Sequence, residues 1–146
     1  MAGLDLAAIR EALVATIKAG VTRDLRGYPY PKGNEELPCF VVHTADEYVD
    51  WYGSIAGGDA ALTIVNLVLE FMAPARTTFE DGLRVLDEML SAGVDVAIQA
   101  DRTLQGTVDD ALLGVSSGYS GIQPDADGRP QAVLCRVPLT VWKQRS

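Results

Sequence analysis

From Ala61 to Phe71 the chain alternates with a period of two. Ala61, Thr63, Val65, Leu67, Leu69 and Phe71 fall on one face of an extended strand, and Leu62, Ile64, Asn66, Val68 and Glu70 on the other. The first face is the drier, so the strand belongs in a sheet with one side covered. A second run repeats the pattern, with Val133, Cys135, Val137, Leu139 and Val141 opposite Arg136, Thr140 and Trp142. Two helical patterns can supply the covering layer. Leu6, Ile9, Leu13 and Ile17 recur at helical spacing between Asp5, a cap, and Gly20, a C-terminal stop, with Arg10, Glu11 and Lys18 expected on the solvent face. After Pro74, Thr77 and Glu80 form a capping box ahead of a stripe of Phe79, Leu83, Leu86 and Leu90. Gly93 is expected to break this helix from a short one carrying Val94, Ala97 and Ile98.

The remaining strands cluster. Cys39-Phe40-Val41-Val42 reads as a strand buried on both faces, preceded by a strand fragment around Tyr28 and an exposed, mobile loop within residues 23–37. Tyr48, Val49, Trp51 and Tyr52 form an aromatic strand that turns at Gly57-Gly58-Asp59 into Ala61–Phe71, and Asp125-Ala126-Asp127-Gly128 is the tip of a final hairpin. The order is α-β-β-β-α-α-β-β. Strands that cluster rather than alternate singly with helices favour an α+β fold, a mostly antiparallel or mixed sheet packed by helices. With 146 residues, a single domain spanning 1–146 can bury its own core.

Charge and chemistry exclude more than they assign. The net charge of −8 opposes a nucleic-acid-gripping surface. No Lys or Arg occurs from Gly33 to Ala75, while Glu35, Glu36, Asp46, Glu47, Asp50, Asp59 and Glu70 all lie there. Asp109 and Asp110 are adjacent on a strand and point to opposite faces, so they do not converge as an acid and base. The serines lack a nucleophile elbow, Gly53 to Gly58 lacks the following Lys of a phosphate loop, and Asp125-x-Asp127-Gly128 lacks the glutamate that closes a calcium loop. His43, the only histidine, reads as a strand-end residue rather than a ligand. Cys39 and Cys135 read as buried reduced thiols, with a disulfide open only if their strands are neighbours. The expectation is a protein without catalytic, cofactor or metal site, made in the cytoplasm, with no apolar run near the roughly 20 residues of a membrane span.

Residues Val94 to Tyr119 join the short helix to a strand through a distinctive linker. Asp101-Arg102-Thr103 ends the helix, Leu104 and Val108 pin the linker to a core, Gly106 permits a bend, and Ala111, Leu113, Val115, Ser117 and Tyr119 alternate as a strand after Asp109-Asp110. The segment resembles one in tail terminator proteins of long-tailed bacteriophages, particularly those infecting actinobacteria. There a helix ending in I-x-A-D/A-x-T-L-x-G runs into V-D-D and an apolar strand. The matching positions are Ile98, Ala100, Asp101, Thr103, Leu104, Gly106, Val108, Asp109 and Asp110. Arg102 departs from the pattern, standing where a proline is common.

The resemblance implies a virion structural protein: a homo-hexameric ring that caps the tail tube, stops its polymerisation and presents the head-joining surface. Its partners would be copies of itself, the major tail tube protein and a head-tail stopper or connector, with genome DNA passing through the lumen unbound. The candidate subunit or lumen surface comprises Asp46, Glu47, Asp50, Trp51, Tyr52 and Asp59, in a hairpin from Glu47 to Thr63, together with the loop from Arg23 to Leu37. Carboxylates lining a lumen would keep the passing genome from sticking. Two alternatives stay open, another head-tail neck component such as a stopper, and a small ligand-binding or enzymatic α+β domain.

Overall fold

The first helix, α1 (Leu6–Gly20), starts where the Asp5 side chain accepts a hydrogen bond from the Ala8 amide at 3.1 Å. It buries Ile9, Leu13 and Ile17 completely. The structure, a computed structural model, describes residues 5–22, 24–32, 35–44, 62–74, 79–114, 123–124 and 130–144. After α1 come β1 (Arg26–Tyr28), β2 (Cys39–Thr44) and β3 (Leu62–Pro74). Then α2 (Phe79–Met89) runs straight into a π-helical segment, Leu90–Ile98, followed by β4 (Asp110–Leu113), β5 (Gln123–Pro124) and β6 (Pro130–Gln144). The aromatic strand Tyr48–Tyr52, its turn at Gly57–Asp59, Thr77 of the capping box and the hairpin tip Asp125–Gly128 lie outside the described residues.

The strands form one mixed sheet in the order β1-β2-β3-β6-β4, with the two-residue β5 also beside β6. Among the described residues only β1 and β2 run parallel, the other neighbouring pairs are antiparallel, and the fold is α+β. Its spine is the β3–β6 ladder, which pairs Leu62 with Gln144 at one end and Pro74 with Ala132 at the other. Alternation in both strands sends Val65, Leu67, Leu69 and Phe71, with Val133, Cys135, Val137, Leu139 and Val141, to the helix-covered face, where all are buried. Phe40 of β2 meets Phe71 there, ring centroids 5.7 Å apart. Leu86, Met89 and Ile98 press down from the helical layer and are fully buried.

Gly93 departs from the expectation, and Gly20 meets it while carrying a second constraint. Gly93 does not break a helix; it lies buried inside the π-helical segment. A Cβ there would stand 2.9 Å from Ile17 Cγ2, so glycine is needed for the close approach to α1. Gly20 is the last residue of α1, and it is also a point of close approach: its Cβ would fall 2.6 Å from Ala97 Cβ and 2.7 Å from the Ala92 carbonyl oxygen. Gly20 leaves room for the Ala92 carbonyl of the π-helical segment, and Gly93 leaves room for the Ile17 and Val21 side chains that pack on it.

Arg10 corrects another expectation. It is 5% exposed instead of solvent-facing. Its Nη1 donates to the carbonyls of Pro29 and Val42, at 2.5 and 2.6 Å, and its guanidinium lies 4.4 Å from the centre of the Tyr30 ring. Burial pulls its pKa down, with Tyr30 opposing. The loop after β1, expected to be mobile, is held at its described residues. Besides the Pro29 contact, Lys32 N donates to Glu35 Oε1, Glu36 N donates to the Tyr28 hydroxyl, and Arg26 pairs with Glu36 at 2.9 Å. The Leu37–Pro38 peptide is cis.

Cys39 and Cys135 are both buried thiols. They sit on strands separated by β3, with Cys135 on the helix-covered face and Cys39 on the other, so the two cannot form a disulfide without dismantling the sheet. Burial, reinforced by Glu35 and Glu70 and opposed by Arg26, pushes the Cys39 thiol up to about 12 from 9.0. The raised value means the folded chain keeps a proton that the unfolded chain releases. Stability from this group is therefore complete below pH 9.0 and declines as pH rises toward about 12. Urea midpoints measured from pH 8 upward should fall more steeply for the wild type than for Cys39→Ala. Parallel pH curves would contradict the assignment.

Candidate interaction surface

The side of the sheet away from the helices carries the polar pairing. Glu70 of β3 stands directly opposite Arg136 of β6, whose Nε donates to Glu70 Oε2 at 2.8 Å. The same carboxylate approaches His43 Nε2 of β2 at 3.4 Å. Further along the ladder, the Thr140 hydroxyl donates to Asn66 Oδ1 at 2.8 Å. The burial of the acid and base differs. The Glu70 side chain is 13% exposed and Arg136 58%, so the guanidinium is presented outward over a carboxylate held in the sheet.

His43 therefore lies inside β2 as a partner of Glu70, one residue from the strand end. Among the described residues no group of three or more His, Cys, Asp or Glu side chains has the arrangement of a metal site. No described helix is long and apolar enough to cross a membrane.

At the β4 edge the linker supplies the second feature. Ala100 closes the helix, and Asp101 then accepts hydrogen bonds from Thr103 Oγ1 and the Gln105 amide. Leu104, Gln105 and Gly106 follow with φ of 49°, 59° and 81°, a left-handed turn of three residues. Only Gly106 is legible in the sequence as the bend. Leu104 and Gln105 both carry a cost, since a non-glycine residue in this region gives up about 1–2 kcal/mol, but Gln105 is exposed and of the two only Leu104 is buried. Its complete burial offsets that, because covering a leucine side chain stabilises by about 1.5–3 kcal/mol. Val108, 3% exposed, is the second anchor.

Arg102, the residue that departs from the tail-terminator pattern, has a defined partner. Its Nε and Nη2 donate to Asp110 Oδ1 and Oδ2, each at 2.8 Å, clamping the helix end to the start of β4. Asp109, expected on the strand, precedes β4, and its amide donates to the Trp142 carbonyl at 2.9 Å. Beyond Asp110, Leu112 points away from the helices and is 47% exposed.

The open part of this face accordingly runs along β6, from Arg136 through exposed Pro138 and partly exposed Thr140 to Trp142. Leu112 flanks it on β4, and Ile64 and Val68 flank it on β3, both partly exposed. Sequence reasoning misses this mixed strip, in which the Thr140–Asn66 hydrogen bond separates Pro138 and Val68 from Trp142 and Ile64. Its signal is the mixed face Arg136, Thr140 and Trp142, whose flanking neighbours only the strand order reveals. The six residues expected to form the functional surface, Asp46, Glu47, Asp50, Trp51, Tyr52 and Asp59, lie outside the described residues, as does most of the Glu47–Thr63 hairpin. No protein-family model matches the chain, and no curated protein matches it significantly.

Proposed function

We propose that this chain is a structural subunit of a phage-type tail terminator, a non-enzymatic protein that assembles as a hexameric ring on the head-proximal end of a tail tube. The reading rests on the Ile98–Asp110 segment, where individual matched residues hold the backbone in place. The Asp101 carboxylate accepts from the Thr103 hydroxyl and the Gln105 amide in the turn after the helix, Leu104 anchors a left-handed turn through Gly106, and Asp110 opens β4. A pattern in which most positions are tied to one unusual backbone path supports common architecture more strongly than the same number of scattered identities. The ring would cap the tube, present the joining surface to a head-tail stopper, and let DNA pass. Asp46, Glu47, Asp50, Trp51, Tyr52 and Asp59 remain the proposed lumen or subunit surface.

Native mass spectrometry tests the reading. A hexamer in solution, or a monomer that becomes hexameric when mixed with purified tail tubes and halts their growth, is the expected result. A chain that stays monomeric and leaves tube growth unchanged overturns it.

A further inference from the structure

We infer that the Asp110 carboxylate, held by Arg102, guards the outer edge of β4 and keeps it from pairing with the same edge of a second copy. The inference stands apart from the ring reading, because it concerns a contact the chain avoids.

The ladder fixes which backbone groups face outward. Among the described residues β4 has one neighbour, β6, and Gly114 N donates to the Pro138 carbonyl at 2.9 Å. In an antiparallel pair, successive residues alternate between facing the partner strand and facing away. Leu112 therefore turns its amide and carbonyl to β6, as Gly114 does, and Ala111 and Leu113 turn theirs outward. The strand is apolar after Asp110, and Leu112 is 47% exposed. An open apolar edge is a template on which another chain can add a strand.

Asp110 closes the first part of that template. Its Oδ1 accepts from the Ala111 amide at 2.9 Å, so the first outward donor is already used. Arg102 Nε and Nη2 hold the same carboxylate at 2.8 Å each, which fixes it at the edge. An incoming strand would meet an anchored acceptor where it needs a donor. The Asp110 side chain is 26% exposed, and covering it with a second strand would cost the carboxylate the water it still has.

Pro138 closes the other end. Its carbonyl faces Gly114, so its ring nitrogen stands on that same side, where the ladder would next require a donor. Pairing stops there, and β4 stays four residues long. With the Ala111 amide taken, Leu113 holds the one remaining outward donor of β4. A single donor does not hold an added strand, since isolated strand pairs are marginal even when complete.

The test opens the guard and then removes what it exposes. Asp110→Ala frees the Ala111 amide and takes the charge from the edge. Sedimentation velocity over a concentration series reads association beyond the wild-type state, and hydrogen exchange reads which amides become covered. Asp110→Ala should form a further species at a concentration lower than wild type by about tenfold or more, with exchange over residues 110–114 slowing as it forms. Arg102→Ala should fall between the two, because the carboxylate stays at the edge without its anchor. Adding Leu113→Pro to Asp110→Ala removes the last outward donor and no bond to β6, and should abolish the further species. An Asp110→Ala chain that associates like wild type overturns the inference, as does extra association that survives Leu113→Pro. Thermal melts report the fold of each variant. Where Asp110→Ala melts too low, Asp110→Val, a stronger strand former without an acceptor, is read in the same way. Where Leu113→Pro does so, Leu112→Lys takes its place, setting a charge on the edge at an exposed position.

Discussion

Gly20→Ala is expected to lower the melting temperature, although alanine is the best helix former and glycine nearly the worst. In an unobstructed helix the exchange stabilises by about 0.5–1 kcal/mol, through backbone entropy and propensity. Here the added carbon would stand 2.7 Å from the Ala92 carbonyl oxygen and 2.6 Å from Ala97 Cβ. The first obstacle is backbone inside the π-helical segment, which cannot rotate away as a side-chain tip can. Relief requires α1 and that segment to separate, and Ile17, Met89, Val94 and Ile98 belong to the core they share. Overpacking of this kind costs about 1–3 kcal/mol, which outweighs the propensity gain and reverses its sign. For a chain of this size the expected fall is about 3–10 °C by calorimetry. Gly93→Ala should act in the same direction and less severely, because its nearest obstacle is the Ile17 side chain at 2.9 Å. A melting temperature that rises in Gly20→Ala would mean the helices do not approach as closely as described.

Arg10→Met is expected to be the most damaging change to a charged residue among those described. Methionine fills much of the same volume without a donor. The Pro29 and Val42 carbonyls, which accept from Arg10 Nη1, lose that bond in a place water reaches poorly. Each buried group stripped of its partner costs about 1–3 kcal/mol, and the stacking on Tyr30 disappears as well. Part is returned, because the wild type buries a cation at a desolvation cost visible in its lowered pKa. The balance is a net loss of about 2–4 kcal/mol in urea denaturation. Arg10→Lys should fall between, since lysine keeps a donor but loses the planar stacking. Equal stability of Arg10→Met and wild type would show that burial of the apolar chain alone accounts for the role of this residue.

Arg10 also shows how residue type and spacing can point in opposite directions. Leu6, Arg10, Leu13 and Ile17 follow one another at spacings of four, three and four, so helical geometry puts Arg10 on the buried stripe. Its charge argues for solvent, and the spacing prevails because two backbone carbonyls receive the guanidinium. The strand patterns are more direct, because a period of two is set by the backbone itself. Alternation in residues 64–71 and 135–141 matches the observed burial residue by residue, and Cys39–Val42 is buried on both faces as its continuous apolar run implies. Leu104, Val108 and Gly106 likewise take the positions their chemistry suggests. Gly93 defeats the same reasoning, since a glycine needed for close approach and a glycine that ends a helix look the same in one dimension.

The amino-acid order by itself determined the α+β class, the faces of its long strands, the cap of the first helix and the anchors of the linker. Each depends on neighbours a few residues away, and short-range geometry is written in spacing. Only the tertiary structure decided that β6 lies between β3 and β4, that Arg102 clamps Asp110, that Arg136 rises over Glu70, and that Gly20 makes room for the carbonyl of Ala92, far along the chain. Those contacts join residues brought together by strand order and helix crossing. Spacing carries no direct trace of either, so the surface they build becomes visible only after the chain has folded.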